Sequence, residues 1–303
     1  MTQTVLILGG NGKIGTHTAA AFWNAGWNVR HFDRKTDDMT AAAMGADVIV
    51  NGLNPPLYHD WKRTIPAITN QVIAAAQASG ATVIIPGNIY NFGVVNGEIN
   101  ESTPQRPNSR KGLIRVEMER AYRDAGIRTI VLRAGNFIDP DKNADVMSLL
   151  IMREAKKGKI NHAGSPDLKQ AYAYVPDWGR AALALAEIRD TLAPFEDVPF
   201  PGHTFTHCAL VDVLQAKTGR PFKLTPFPWW MMAAVSPFLE VARELREMRY
   251  LNDMSHWIGA DKFNRLLPDF QPTALETVML AGLPDDIHPD KAMHASGKTI
   301  AAE

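Results

Sequence analysis

Val5-Leu6-Ile7-Leu8-Gly9-Gly10-Asn11-Gly12-Lys13-Ile14-Gly15 is the stretch that decides the fold. Its four apolar residues run without alternation, the pattern of a strand buried on both faces. Gly9, Gly12 and Gly15 follow at three-residue spacing, and a helical stretch from about Lys13 to Ala25 is closed by Gly26. Glycines so placed permit a tight turn, a close approach of backbone to a pyrophosphate, and close packing of helix on strand. The helix N-terminus then turns free N–H groups and a positive dipole end toward the phosphates. Trp27–Phe32 reads as the next strand, and Asp33 ends it 18 residues after Gly15. This order of strand, glycine turn, helix, strand and acid points to dinucleotide binding; the alternative is a strand–helix turn that binds nothing. Gly9, Asn11, Gly12, Lys13, Ile14 and Gly15 are the expected pyrophosphate-facing residues. Asp33 is placed for the adenosine ribose hydroxyls, which favours NAD, whereas Arg34 suits the 2′-phosphate of NADP. The carboxylate would repel that phosphate, so NAD is the expected cofactor.

Working outward, Asp47–Val50 and Thr82–Ile85 are further apolar strands, with a helix from about Thr64 to Ser79 between them, stopped by Gly80. A helix over Lys111–Ala125 ends at Gly126, and Ile127–Leu132 is the next strand. Strands alternating with helices of this length imply an α/β fold, a Rossmann-type doubly wound parallel sheet. The pattern loosens after Asp139-Pro140. Helix-like Val146–Lys156 and Trp178–Arg189 flank a strand-like Ala171–Val175, and from Pro199 the chain is rich in Pro, Trp and Met. The expected division is a nucleotide-binding domain over residues 1–160, rejoined by part of 172–205, and a smaller C-terminal substrate lobe over 206–303.

The chain has 303 residues, 46% of them hydrophobic, with 32 Lys+Arg balanced by 32 Asp+Glu. Zero net charge argues against a nucleic-acid partner. A single cysteine, Cys208, excludes a disulfide framework within the chain and fits a reducing compartment. No apolar run reaches the roughly 18–20 residues of a membrane span, and no secretory signal is visible. The expectation is a cytoplasmic globular protein acting on a small molecule, with a homodimer allowed. His203-x-x-x-His207-Cys208 has a metal-like spacing, but it follows Pro201-Gly202 and reads as strand, where i and i+4 lie about 13 Å apart. No metal site is expected. Phe227–Leu239, containing Trp229-Trp230-Met231-Met232, reads as core of the second lobe or as the lid of an apolar pocket. Membrane contact is not expected, because basic residues are not set opposite the apolar face.

The glycine spacing resembles that of the short-chain dehydrogenase/reductase superfamily. Asp47-Val48-Ile49-Val50-Asn51-Gly52-Leu53 resembles that superfamily's fourth strand, whose end, here Gly52 and Leu53, lines the cofactor. Leu132-Arg133-Ala134-Gly135-Asn136-Phe137-Ile138-Asp139-Pro140, Tyr174-Val175-Pro176-Asp177 and Phe263–Leu275 resemble segments of its extended branch, the NAD-dependent epimerases, dehydratases and reductases. The family's usual site is a Ser with a Tyr-x-x-x-Lys helix, and this chain departs from it. Aligning Phe92-Gly93 with the family's Tyr-Gly pair puts Asn88 at the serine, and the helix puts Lys111 at the tyrosine and Arg115 at the lysine. No tyrosine lies between Tyr90 and Tyr122. Only 13 residues separate Asp33 from Asp47, too few for the usual third strand and its helix. Lys111–Glu119, with Ala125-Gly126-Ile127 and Asn136-Phe137, also resembles atypical reductases related to isoflavone and phenylcoumaran benzylic ether reductases, which carry a lysine in place of that tyrosine.

Lys111, Arg115 and Glu119 fall at i, i+4 and i+8 and form one helical stripe. Arg115 and an oxidised nicotinamide would disfavour a charged Lys111 and suit it to proton exchange. Glu119 is expected to pair with Arg115, Asn88 to donate its amide to a substrate oxygen, and Tyr90 to serve as a second proton donor. The bland alternative is a solvated charged face. The resemblance implies an NAD(P)-binding oxidoreductase or epimerase that transfers hydride on a carbonyl or alcohol carbon. Lys169-Gln170-Ala171-Tyr172 lacks the arginine that nucleotide-sugar members often carry there, so a smaller or more apolar substrate is expected. The rival reading is an NAD(P)-binding sensor or regulatory protein that kept the fold and lost the chemistry.

Overall fold

The structure is a computed structural model that describes residues 2–55, 58–141 and 145–289. Its first half runs β1 (Thr4–Leu8), α1 (Lys13–Asn24), β2 (Asn28–Phe32), α2 (Met39–Ala43), β3 (Val48–Asn51), α3 (Trp61–Ser79), β4 (Thr82–Gly87), β5 (Gly97–Ile99), α4 (Arg110–Asp124), β6 (Thr129–Arg133) and β7 (Asn136–Ile138). The second half continues through β8 (Lys159–His162), β9 (Gln170–Tyr174), α5 (Val175–Glu187), β10 (Phe195–Pro199), β11 (His203–Phe205), α6 (His207–Thr218) and β12 (Lys223–Pro226). It closes with α7 (Trp229–Val235), α8 (Glu240–Glu247), β13 (His256–Ile258), α9 (Asp261–Leu266) and α10 (Leu275–Leu280).

The main sheet has six parallel strands in the order β10-β6-β4-β3-β1-β2. Its fully apolar strands feed two cores, as a sheet covered on both faces requires. In β1, Val5 and Ile7 pack toward Phe22 of α1 and Trp178 of α5. Leu6 and Leu8 point the other way, toward Ile65 and Val72 of α3 and Tyr122 of α4. The two helices on the first face touch closely: a Cβ at Gly179 of α5 would lie 3.0 Å from the His17 carbonyl of α1. No strand lies between β2 and β3. The short α2 bridges them, so β2 is the sheet edge, in line with the 13-residue spacing.

The second lobe packs β8 against β12 and gathers Met147, Ile151, Met152, Leu210, Phe222 and Met279 into a separate core. The boundary expected at residue 160 therefore falls inside a strand of this lobe, which also draws on the chain from Met147 onward. Part of 172–205 rejoins the main sheet as α5 and β10, while β9 and β11 pair beside β7. The expected helix over Val146–Lys156 is replaced by a π-helical turn at Met147–Ile151 and a 3₁₀ turn at Ala155–Lys157. The wider turn closes on a Met152 N–H to Met147 carbonyl bond of 2.7 Å, and it sends Met147, Ile151 and Met152 into one core. Helix α5 begins earlier than expected, at Val175, because Pro176 sits in its first turn, where a missing N–H costs nothing.

Candidate functional site

A cleft of about 1020 Å³ opens along the C-terminal ends of β1, β3, β4 and β6 and runs beneath α7 and α8. Ligands of doubly wound sheets bind at this edge. Its inner end is the glycine turn, where each glycine answers a different need. Gly9 has φ +77, a left-handed conformation that favours glycine. A Cβ on Gly15 would lie 2.2 Å from the Gly9 carbonyl oxygen, so that glycine lets the helix sit on the turn. A Cβ on Gly52, at the end of β3, would lie 3.0 Å from the Leu8 carbonyl oxygen. Gly12 is different. Its Cβ would meet only the Gly9 oxygen at 3.3 Å, and the residue lines the cleft with Lys13 and Ile14. The open face of the turn, with the first N–H groups of α1 beside it, is a cradle shaped for an anion. Burial lowers the Lys13 pKa, and Asp145 and Asp139 partly restore it.

Gly52 and Leu53 line the same cleft, but Asp33 and Arg34 do not. Both are exposed just past β2. The Asp33 carboxylate accepts the Lys35 N–H at 2.9 Å, and its own N–H is held by Asp37. Beside them the His31 imidazole lies against Gly10, where a Cβ would come within 2.3 Å of Nδ1. Asn11 is an exposed residue of the turn and is not part of the cleft lining.

Farther along, Asn88, Tyr90 and Arg115 come together in the lining. Asn88 follows β4 directly. Its Oδ1 accepts the Tyr90 N–H at 2.9 Å, and among the described residues its amide nitrogen takes no protein partner. The Asn88 carbonyl is anchored by Arg133 Nη1 at 2.7 Å. Arg133 is fully buried at the end of β6, bound bidentately to Glu119 at 3.1 and 2.8 Å and to Asp197 at 2.6 Å. These two carboxylates outweigh its burial and raise its pKa. This corrects the expected Glu119–Arg115 pair: Glu119 of α4 serves Arg133 at the end of β6.

Arg115 is buried without a carboxylate within 4 Å among the described residues. It donates to Asn54 Oδ1 at 3.0 Å and lies 4.7 Å over the Trp61 ring, while its buried Nε has no acceptor. Burial lowers its pKa; Tyr90 is foremost among the groups that oppose the shift.

Lys111 is buried but absent from the cleft lining. Its ammonium is bound by Glu244 and by Glu247 at 3.0 Å, both on α8, and it lies 4.9 Å over the Tyr58 ring. Lys111, Arg115 and Glu119 thus share a buried face of α4, not a solvated one. The residue missing from the sequence reading is Tyr58, whose hydroxyl lies 3.2 Å from that of Tyr90. Tyr90, burial and the hydrogen bond between the two hydroxyls hold the Tyr58 phenol well above the ordinary tyrosine pKa; Arg115 opposes the shift. Its signal in the sequence was slight: an aromatic residue in the Pro-rich turn after β3.

The outer wall is Phe227, Pro228, Met231 and Met232 with Val241 and Leu245. Helix α7 buries none of its residues, and Trp230 is 73% exposed, so this segment covers the cleft and is not lobe core. His203 ends up in β11 while His207 opens α6, which corrects the strand reading of that pair. Among the described residues the metal-like cluster is His17, Asp139 and Asp141, where the imidazole is 2.8 Å from the buried Asp139 carboxylate. No described helix is long and apolar enough to cross a membrane.

No protein-family model matches the sequence, and no curated protein matches it. Solved structures do. A UDP-glucuronic acid 4-epimerase from Bacillus cereus, solved with UDP-glucuronic acid and NAD, superposes with a TM-score of 0.74 at 14% identity over 97% of this chain and 100% of its own. A UDP-galactose 4-epimerase gives 0.65 at 17% identity over 96% and 99%. A nucleoside-diphosphate-sugar epimerase from Pseudomonas aeruginosa gives 0.69 at 15% identity over 97% and 99%. The chain therefore shares the Rossmann-type fold of these epimerases along nearly its whole length.

Proposed function

We propose that this protein is an NAD(P)-dependent oxidoreductase or epimerase of the extended short-chain dehydrogenase/reductase kind. It acts on a carbonyl or alcohol carbon of a small or apolar substrate. The observation that carries this reading is the continuous cleft from the open face of Gly12 to Asn88, Tyr90 and Arg115. A dinucleotide fits its inner end, because the glycine turn leaves backbone N–H groups where a pyrophosphate would sit and a Cβ at Gly12 would intrude there. NAD bound to the Bacillus cereus epimerase of the same fold supports the choice of cofactor. When bound, nicotinamide would supply or accept hydride at the substrate carbon. The chain's own part is to hold the substrate oxygen: Asn88 Nδ2 is free to donate to it, and Arg115 brings a positive charge for an oxyanion.

The substrate end favours apolar matter, since Ile68, Leu149, Phe227, Met231, Met232 and Leu245 line it. Nucleotide-sugars remain the second reading, because Arg153 and Lys157 line the cleft as well. Titration calorimetry separates the possibilities. NAD should bind, with NADP weaker. Gly12→Val should fold normally and lose both, whereas Gly15→Ala should destabilise the fold itself, its Cβ pressing on the Gly9 oxygen. A wild-type protein that binds neither cofactor at millimolar concentration overturns the proposal. Saturable micromolar binding of UDP-glucuronic acid overturns the apolar assignment alone. Cofactor binding without turnover on any ketone, aldehyde or alcohol of a broad panel favours the sensor reading.

A further inference from the structure

We propose that Tyr58 and Tyr90 form the proton-transfer pair of this cleft, with Arg115 holding the negative charge left when one phenol gives up its proton. This rests on the hydride-transfer reading above, but its geometry stands on its own. Both phenols line the cleft beside Asn88, and their hydroxyl oxygens are 3.2 Å apart, so one always donates to the other. Tyr58 is held there at a conformational cost. Its φ is +64, a left-handed backbone that an aromatic residue rarely adopts and that survives only where the surroundings fix it. Here the ring packs edge-on against Trp61 at 5.2 Å and lies under the Lys111 ammonium.

A guanidinium buried, as that of Arg115 is, with no carboxylate within reach and with Nε unsatisfied, is costly unless an anion comes to it. A phenolate of the pair is such an anion, formed only when chemistry demands it. Lys111, at the position where the resemblance would put the tyrosine, is turned to Glu244 and Glu247 instead.

The step balances. In carbonyl reduction one phenol O–H bond breaks and its proton passes to the substrate oxygen as the carbon gains hydride from the reduced nicotinamide. The phenolate keeps the hydrogen bond from its partner's O–H and the field of Arg115, and water then returns the proton. Oxidation of an alcohol runs the same transfers backward. The second phenol lowers the cost of the charge on the first, which is the task the family gives to a lysine.

Ultraviolet titration of phenolate absorbance tests the pair without cofactor or substrate. Phenols that share a proton come off in two separated steps belonging to the pair. Tyr58→Phe and Tyr90→Phe should each abolish that separation and, with it, the pair's first step. Arg115→Met, which keeps both phenols, should move the first step upward, so the test survives if a Phe variant fails to fold. With NADH and a panel of aryl and alkyl ketones, either Phe variant should cut turnover by about 10²–10⁴-fold at unchanged NADH affinity, and the double variant should be little worse. Lys111→Met should not match them. Titration curves that are simple sums of independent phenols, unchanged by Tyr58→Phe or Arg115→Met, overturn the pair. Failure of wild-type protein to bind NAD(H), with the coupled titration intact, overturns only the hydride-transfer reading.

Discussion

At the scale of single residues, the site was legible wherever a residue's position follows from a strand end or a helical repeat. Gly12, Asn88, Tyr90 and Arg115 are such residues, because β1, β4 and α4 fix where they emerge. Tyr58 was not legible, since no repeat governs a turn whose path depends on a positive φ. Arg133 was half legible: a charged residue closing the apolar run Ile127–Leu132 needs partners, but the sequence does not say that Glu119 and Asp197 supply them. Arg115 gives a sharp prediction at this scale. Its buried charge has Asn54, Met118 and Trp61 for company but no counter-ion among the described residues, so replacing it by methionine removes a desolvation cost along with two hydrogen bonds and the ring contact. Arg115→Met should leave thermal stability unchanged or raise it by about 1–2 kcal/mol. A loss of more than about 2 kcal/mol in denaturant unfolding would mean that an unseen partner already neutralises the guanidinium.

At the scale of elements, periodicity recovered the alternating strands and helices of the first half, because each must bury a continuous stripe or a whole strand. It failed where tertiary packing sets the turn, as at Met147–Ile151, and it could not choose between core and cover for Trp229–Val235. The structure makes that segment and α8 a cover fastened to α4 by charge. Lys111 and Arg110 of α4 meet Glu244 and Glu247 of α8, and His59 meets Glu240 at 2.8 Å. Lys111 is the buried member, with its two carboxylates only 13% and 15% exposed, so this pair is worth more than a surface ion pair. Lys111→Met should therefore loosen the cover without touching the glycine turn. Amide exchange in residues 229–247 should quicken, NAD affinity should hold, and any turnover should change by less than about tenfold. Exchange that stays slow there would show that apolar contacts, not the ion pairs, keep the cover closed.

Across the whole molecule, two buried histidines outside the cleft tie stability to pH. His207 opens α6, and His256 lies in β13, paired with β5; each is pushed down to about 4, by burial first. His162 adds to the shift at His207, whereas at His256 the Met254 carbonyl works slightly against it. Among the described residues neither ring nitrogen of His207 has a partner, nor does Nε2 of His256. Above about pH 6.5 both imidazoles are neutral folded or unfolded, and they leave stability unaffected. Below that the unfolded chain takes up protons that the folded chain refuses. Stability then falls as pH drops, by up to about 1.4 kcal/mol per unit for each histidine, until the folded groups protonate near pH 4. Carboxylates with lowered values, such as Glu247 and Asp139, lose their contributions as pH falls through and below the ordinary carboxylate range, and so add little above about pH 5. Urea unfolding between pH 7 and pH 5 therefore isolates the imidazoles. The wild-type midpoint should fall steadily across that window, and replacing His207 and His256 by leucine together should flatten the slope, whatever it does to the absolute stability. An unchanged wild-type midpoint at pH 5 would show that one or both rings reach water or a polar partner in solution, and the second lobe would then be more open than its packing shows.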